Sequence, residues 1–149
     1  MRIALFQPEI AGNVGAVLRL GACLGLPVDV IEPCGFAFSD RSMARAGMDY
    51  AERHAAVRHA DWDAFLGARR GRLLLFTTRS AIRLPEVTFE PDDILLFGSE
   101  SSGAPDHVHD MVDARVRIPI AADARSLNLS TACAIAASEA LRQTGGWPT

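Results

Sequence analysis

The sequence predicts an α/β layer fold, with a mostly parallel sheet and helices on both faces, from three observations. Short apolar runs alternate with stretches of helical character. Residues that cap helices stand at the junctions between them. The 149 residues, 49% of them hydrophobic, suffice for one compact domain over residues 1–149 and leave no room for a second.

The strand candidates are Arg2–Phe6, Val28–Ile31, Leu73–Thr77, Ile94–Phe97 and Arg115–Ile118, with a weaker one at Ala56–Arg58. Runs this short and this apolar suit strands covered on both faces. Helices are expected at Val14–Leu24, Arg41–Gly47, Trp62–Ala68, Pro105–Met111 and Leu129–Arg142. Asn13, Asp40, Asp61 and Asn128 occupy their N-cap positions. Leu84–Asp93, with Pro85 and Pro91, reads as an exposed connection between two strands. The tail Gly145-Gly146-Trp147-Pro148-Thr149 ends the last helix, since proline has no amide hydrogen to donate.

The longest apolar runs, Leu73–Phe76 and Ile94–Phe97, fall far short of the roughly 20 residues that cross a bilayer. The N-terminus opens on a strand, without a basic-then-apolar export signal, so a soluble cytoplasmic chain is expected. The formal net charge of -3 does not advertise a nucleic-acid binder. All 15 basic residues are arginine, whose forked donors match phosphate, although a genome favouring Arg and Ala codons explains the same bias. Any phosphate-binding surface must therefore be local or assembled from two chains. Cys23, Cys34 and Cys133 fit no disulfide framework or zinc spacing. His107 and His109 fall on opposite sides of a helix, and no metal is expected.

The phosphate-loop, dinucleotide and serine-hydrolase signatures are absent, which leaves three polar segments beside buried elements. The first, Pro8–Gly15, leaves a strand and enters a helix carrying Arg19. Arg19 lies nearly two turns beyond Asn13, so it reaches a ligand from one flank only, and taken alone the residue is better explained as a solvated helix position. Gly15, Gly21 and Gly25 weaken that helix and point to close contact with another backbone. The second segment, Phe97–Pro105, starts at the carboxyl end of a buried strand, where open α/β sheets bind ligands. There Glu100 is placed to hold a hydroxyl or orient an arginine, or is simply a solvated turn residue. The third runs from Arg117-Ile118-Pro119-Ile120 to Ser126-Leu127-Asn128-Leu129-Ser130-Thr131, where Asn128 or Ser126 caps a helix rich in alanine. A well-capped helix explains the alanines but not the polar cluster.

Together and in this order, the segments resemble the SpoU (TrmH-like) branch of the SPOUT methyltransferases. The matching residues are Asn13-x-Gly15-x-x-x-Arg19, then Phe97-Gly98-x-Glu100-x-x-Gly103, then Ile118-Pro119 with Ser126-Leu127-Asn128-Leu129-Ser130. Pro8-Glu9-Ile10, Ile31–Phe36, Arg45–Tyr50 and Phe76-Thr77-Thr78 further resemble a subgroup that methylates the ribose of the tRNA wobble nucleotide, position 34. Two departures stand out. Ser99 replaces a usual proline, which implies lost rigidity, and Ser101-Ser102 replaces Thr-Arg, which implies a lost cation near the substrate.

The resemblance implies a C-terminal trefoil knot, an exception to unknotted chains, and a homodimer with a composite active site. It implies S-adenosylmethionine as cofactor and S-adenosylhomocysteine as product. Phe76, Thr77, Gly98, Ile118, Ile120 and Leu127 would hold the cofactor largely through backbone, with Ser126 beside it. The resemblance further implies Arg19, from the partner subunit, as the catalytic cation. A guanidinium is a poor base, its pKa exceeding about 12, so its expected work is to bind phosphate and stabilise a developing alkoxide. Asn13, Glu100 and Asn128 would orient these groups, and Arg41 and Arg45 would contact the tRNA backbone. The alternatives are a SpoU enzyme for another tRNA position or for rRNA, a non-catalytic RNA-binding member, and a flavodoxin-like nucleotide-binding domain.

Overall fold

The computed structural model describes residues 1–39, 41 and 56–149. Its elements in chain order are β1 (Arg2–Phe6), α1 (Ala11–Leu24), β2 (Val28–Ile31), β3 (Val57–His59) and α2 (Trp62–Ala68). They continue with β4 (Leu73–Phe76), a 3-10 turn (Leu84–Glu86), β5 (Ile94–Phe97), α3 (Asp106–His109), β6 (Ala114–Val116) and α4 (Leu129–Thr144). Among the described residues these strands form one sheet in the order β3-β2-β1-β5-β4-β6, and every pairing is parallel. The expected helix Arg41–Gly47, its cap Asp40 and the site residue Arg45 lie outside the described residues, apart from Arg41 itself, which is exposed.

Alternation along each strand sends successive side chains to opposite faces and so divides the core in two. Ile3, Leu5, Leu74 and Leu95 pack under α1 and α4, against Val14, Val17, Cys133 and Ala136. Ala4, Phe6, Leu75 and Leu96 face α2 and α3, against Trp62, Phe65 and Val108. The rings of Phe6 and Trp62 meet edge to face at 5.6 Å. Each fully buried Leu or Phe contributes about 1.5–3 kcal/mol relative to exposure, which is why the central strands need no polar face.

Several boundaries moved, each for a local reason. Helix α1 starts three residues earlier than expected, with Ile10 at its N-cap and no side chain capping it. Asn13 is therefore not the cap; it lies in the first turn, where its side chain is engaged elsewhere. Asp61 and Asn128 do cap, accepting from Ala64 N–H and from Ser130 and Thr131 N–H respectively. Gly21 meets a neighbouring backbone as expected, since a Cβ there would lie 2.6 Å from the Leu26 carbonyl oxygen. Gly25 instead closes α1, with φ 68° in the left-handed region that glycine enters freely. Gly145, φ 66°, ends α4 two residues later than expected.

The connection Leu84–Asp93 is not simply exposed. Leu84 and Phe89 are buried and complete the α4 side of the core. Gln143 of α4 donates to the Val87 carbonyl and accepts from Phe89 N–H. Asp93, fully buried, is held by Arg72 at 2.8 Å. The last strand is shorter than the expected Arg115–Ile118, because beyond Val116 the chain changes partner: Arg117 N–H donates to Ile82 and Leu84 N–H donates to Arg117.

Candidate active site

The carboxyl ends of β4 and β5, the loop after β6 and the start of α4 enclose a cleft of about 550 Å³. That volume falls within the roughly 300–1,000 Å³ of small-molecule sites. All seven residues expected at the cofactor, Phe76, Thr77, Gly98, Ile118, Ile120, Ser126 and Leu127, line it. So do Asn13, Glu100 and Asn128. Its apolar walls come from strand ends and the 118–127 loop; its polar groups come mostly from the β5–α3 loop.

The three polar segments, far apart in the chain, meet here through side chains. The Glu100 carboxylate accepts from Glu9 N–H at 2.7 Å, Ile10 N–H at 3.1 Å and Asn13 Nδ2 at 3.0 Å. It thereby supplies from another loop the acceptor that α1 lacks at its own N-cap, where helix amides are otherwise unpaired. Asn128 Nδ2 donates to Asn13 Oδ1 at 2.9 Å, while Asn128 Oδ1 accepts from Ser130 and Thr131. A continuous line therefore runs from Glu100 through Asn13 and Asn128 into the first turn of α4. Glu100 anchors the start of α1 and orients Asn13 with its carboxylate, so it is neither a solvated turn residue nor, in this structure, a holder of a hydroxyl or an arginine among the described residues.

A reciprocal tie runs beside it. Glu9 accepts from Ser101 N–H at 2.8 Å and Ser101 Oγ at 2.7 Å, which hold its carboxyl below the usual range. Ser99 and Gly103 exchange two backbone hydrogen bonds, and Ser99 Oγ also reaches Ser102 Oγ at 2.9 Å. Where the usual proline is missing, Ser99 thus ties the loop to Gly103 and Ser102. Gly98 permits this closure: a Cβ there would lie 2.4 Å from the Ala104 nitrogen.

Arg19 lies on the exposed side of α1 and does not line the cleft. Six residues of helix carry it about 9 Å along the axis from Asn13. Cleft residues that the sequence did not assign to the site include Arg79 and His109. Arg79 follows the quoted Phe76-Thr77-Thr78 stretch directly, so proximity to that motif was a usable signal. His109 was weighed only as a metal ligand beside His107, and their placement on opposite sides of a helix set that reading aside. Burial pushes the Cys34 thiol up to about 11, and that of Cys133 higher still, so neither is poised as a nucleophile.

This sheet order and this cleft define a class of protein, and the sequence matches the SpoU rRNA Methylase family over residues 1–138. The chain belongs to that family. It is 46% identical over 150 residues to the tRNA (cytidine(34)-2'-O)-methyltransferase of Ancylobacter novellus, covering 99% of this chain and 95% of that one. A solved structure described as giving insights into the 2-OH methylation of C/U34 on tRNA superposes with a TM-score of 0.90 at 40% identity, covering 95% of this chain and 94% of that one. An AdoMet-bound rRNA methyltransferase from Sinorhizobium meliloti superposes at 0.84 with 25% identity, over 95% of this chain and 55% of the other.

Proposed function

We infer that this protein methylates the ribose 2'-hydroxyl of the wobble nucleotide, position 34, of tRNA, with cytidine or a modified uridine as its base. The observation that carries this reading is the line Glu100–Asn13–Asn128, which joins three distant segments at one cleft. The near full-length likeness to a tRNA (cytidine(34)-2'-O)-methyltransferase supplies the particular substrate.

The cleft suits S-adenosylmethionine. It offers apolar walls at Phe76, Ile118, Ile120 and Leu127 for a base, and polar groups at Thr77, Ser126 and the β5–α3 loop. When bound, the cofactor supplies an electrophilic methyl group and leaves as S-adenosylhomocysteine. Phe76, Thr77, Gly98, Ile118, Ile120 and Leu127 hold it, with Ser126 beside it. Asn13, Glu100 and Asn128 keep the first and third segments in register with it.

Arg19 of the partner subunit binds the phosphate next to the target ribose. Its charge stabilises the negative charge that develops on the 2'-oxygen as the hydroxyl proton passes to solvent and the methyl group is taken up. Arg41 and Arg45 contact the tRNA backbone. Arg79 and Arg117 at the cleft add local positive charge to a chain whose net charge is -3. The Arg79–Asp106 pair, 3.0 Å, is exposed on both sides, so exchanging Asp106 for phosphate costs little.

Two structural features complete the proposal. Residues 1–149 act as one methyltransferase domain in a homodimer. The chain after β6 threads the β4–β5 connection as a trefoil knot, which the pairing of Arg117 with Ile82 and Leu84 and the return of Asn128 to Asn13 support. Among the described residues, no helix is long and apolar enough to cross a membrane; the site of action is the cytoplasm.

The deciding experiment incubates purified protein with tRNA and S-adenosylmethionine and analyses nucleosides by mass spectrometry. One 2'-O-methylated nucleoside gained at position 34 is expected. Gain at another position would reassign the substrate. No gain despite measurable cofactor binding would identify a non-catalytic RNA-binding member.

A further inference from the structure

The edge strand β3 and the loop after β2 bring an arginine onto aromatic rings, outside the cleft and unused by the mechanism above. The guanidinium carbon of Arg58 lies 4.7 Å from the centre of the Phe38 ring, and Phe38 stacks with Phe36 at 6.1 Å. Both rings are partly buried against the core. The Glu32 carboxylate accepts from Nη2 of Arg58, and the next residue of β3, His59, is tied to buried Asp29 at 2.8 Å. The guanidinium is therefore fixed by a ring and by a carboxylate, while its side chain stays 46% exposed. Holding a long surface side chain still costs rotamer entropy, and the same fixation lowers the cost of binding a partner there.

The sheet connects this stack to the cleft. Strands β3, β2, β1 and β5 are successive neighbours, so the carboxyl end of β3 stands roughly 14 Å from that of β5, at about 4.8 Å per strand. The loops between are in contact. Gly35 N–H donates to the Pro8 carbonyl at 2.9 Å, and a Cβ on Gly35 would lie 2.8 Å from the Cα of Glu9. Glu9 in turn accepts from Ser101, which lines the cleft. Arg41, proposed above to contact the tRNA backbone, follows Phe38 by three residues.

We propose that Arg58, laid on Phe38, is an RNA-binding residue whose guanidinium stacks with an unpaired base of the anticodon loop, beside the nucleotide held in the cleft. The inference rests on the tRNA reading above. Unpaired bases are recognised by stacking on aromatic rings and on guanidinium planes. Stacking fits this arginine better than phosphate binding does, because Glu32 already balances its charge. An arginine paired with a carboxylate contributes little to the release of counterions that drives phosphate contacts.

The test measures binding of full-length tRNA by the wild-type protein, Arg58→Ala, Arg58→Lys and Phe38→Leu over a range of salt concentrations. It includes tRNAs that lack one anticodon-loop base at a time. Arg58→Ala should bind intact tRNA about tenfold more weakly, the scale of one lost base stack, with an unchanged slope of affinity against salt. Arg58→Lys, which keeps the charge and loses the plane, should be as weak. Phe38→Leu, which removes the supporting ring, should lose part of the affinity. Removing one particular base beside position 34 should weaken wild-type binding by the same factor and leave Arg58→Ala binding unaltered. S-Adenosylhomocysteine affinity should be the same in all these proteins, which separates a local loss from a misfolded variant. Full recovery in Arg58→Lys, or a salt slope shallower by about one in Arg58→Ala, overturns the proposal in favour of a phosphate contact. Wild-type binding indifferent to every flanking base overturns it even where a variant fails to fold. A wild-type protein that binds no tRNA overturns it together with the tRNA reading.

Discussion

At the scale of single residues, the proposed site divides its work between groups that tie loops together and Arg19, which stands on the exposed side of α1. Glu100 belongs to the first kind. Replacing it by alanine leaves Glu9 N–H, Ile10 N–H and Asn13 Nδ2 without their acceptor. The expected loss is about 1–3 kcal/mol of stability, read from the midpoint of urea unfolding. Cofactor affinity should fall as well, because the first and third segments lose their common anchor. Arg19 belongs to the second kind. Arg19→Ala should abolish methyl transfer to tRNA while leaving S-adenosylhomocysteine affinity nearly unchanged by calorimetry. A large loss of affinity or of stability would instead make Arg19 a structural residue. The sequence placed Glu100 at the carboxyl end of a buried strand, where the cleft lies, but not the contacts it makes there. Glu100 sits in a glycine–serine turn, and no local pattern announces that its carboxylate will cap a helix 90 residues away.

At the scale of elements, glycine and serine decide how the β5–α3 loop closes. Gly98 lies where two backbone strands nearly touch, and Ser99 ties the loop to Gly103 and Ser102. Gly98→Ala should destabilise the fold by about 1–3 kcal/mol, since the added methyl meets backbone rather than a movable side chain. It should also weaken cofactor binding, and a calorimetric titration beside a thermal melt separates the two effects. A variant with wild-type melting and affinity would show that the loop relaxes without reshaping the cleft. The strands were legible almost residue for residue, because four-residue runs buried on both faces admit few other readings. Helix α1 was not: with Ile10 at its N-cap, its first turn is stabilised by a group from another loop, so its start carries no local mark.

At the scale of the whole molecule, the position of Arg19 sets the question of assembly. It stands on the exposed side of α1, about 9 Å along the helix from Asn13, so a composite site in a homodimer gives it a role its own cleft does not. Sedimentation equilibrium at micromolar concentration should give a mass near twice 16.0 kDa. Mixing Arg19→Ala with a cleft-blocking Ile120→Trp variant, each inactive alone, should restore roughly a quarter of wild-type transfer. Half the dimers would then be mixed, each with one intact site. A monomer in solution, or no recovery on mixing with exchange of subunits confirmed, would place Arg19 and the cleft in one chain.

The sequence by itself determined the parallel α/β architecture, the order of its strands along the chain, and the three segments that belong together. Those properties follow from short-range rules, periodicity and capping, together with motif order. Tertiary structure decided what those segments do to one another. It gave Asn13 to Glu100 and Asn128 rather than to its own helix, buried Leu84 and Phe89, and turned three serines into a brace. It also buried the ring of His109 and left its Nδ1 without a hydrogen-bond partner. Each of these outcomes depends on which distant residue arrives at hydrogen-bonding or van der Waals distance, and that distance is fixed only when the sheet has assembled.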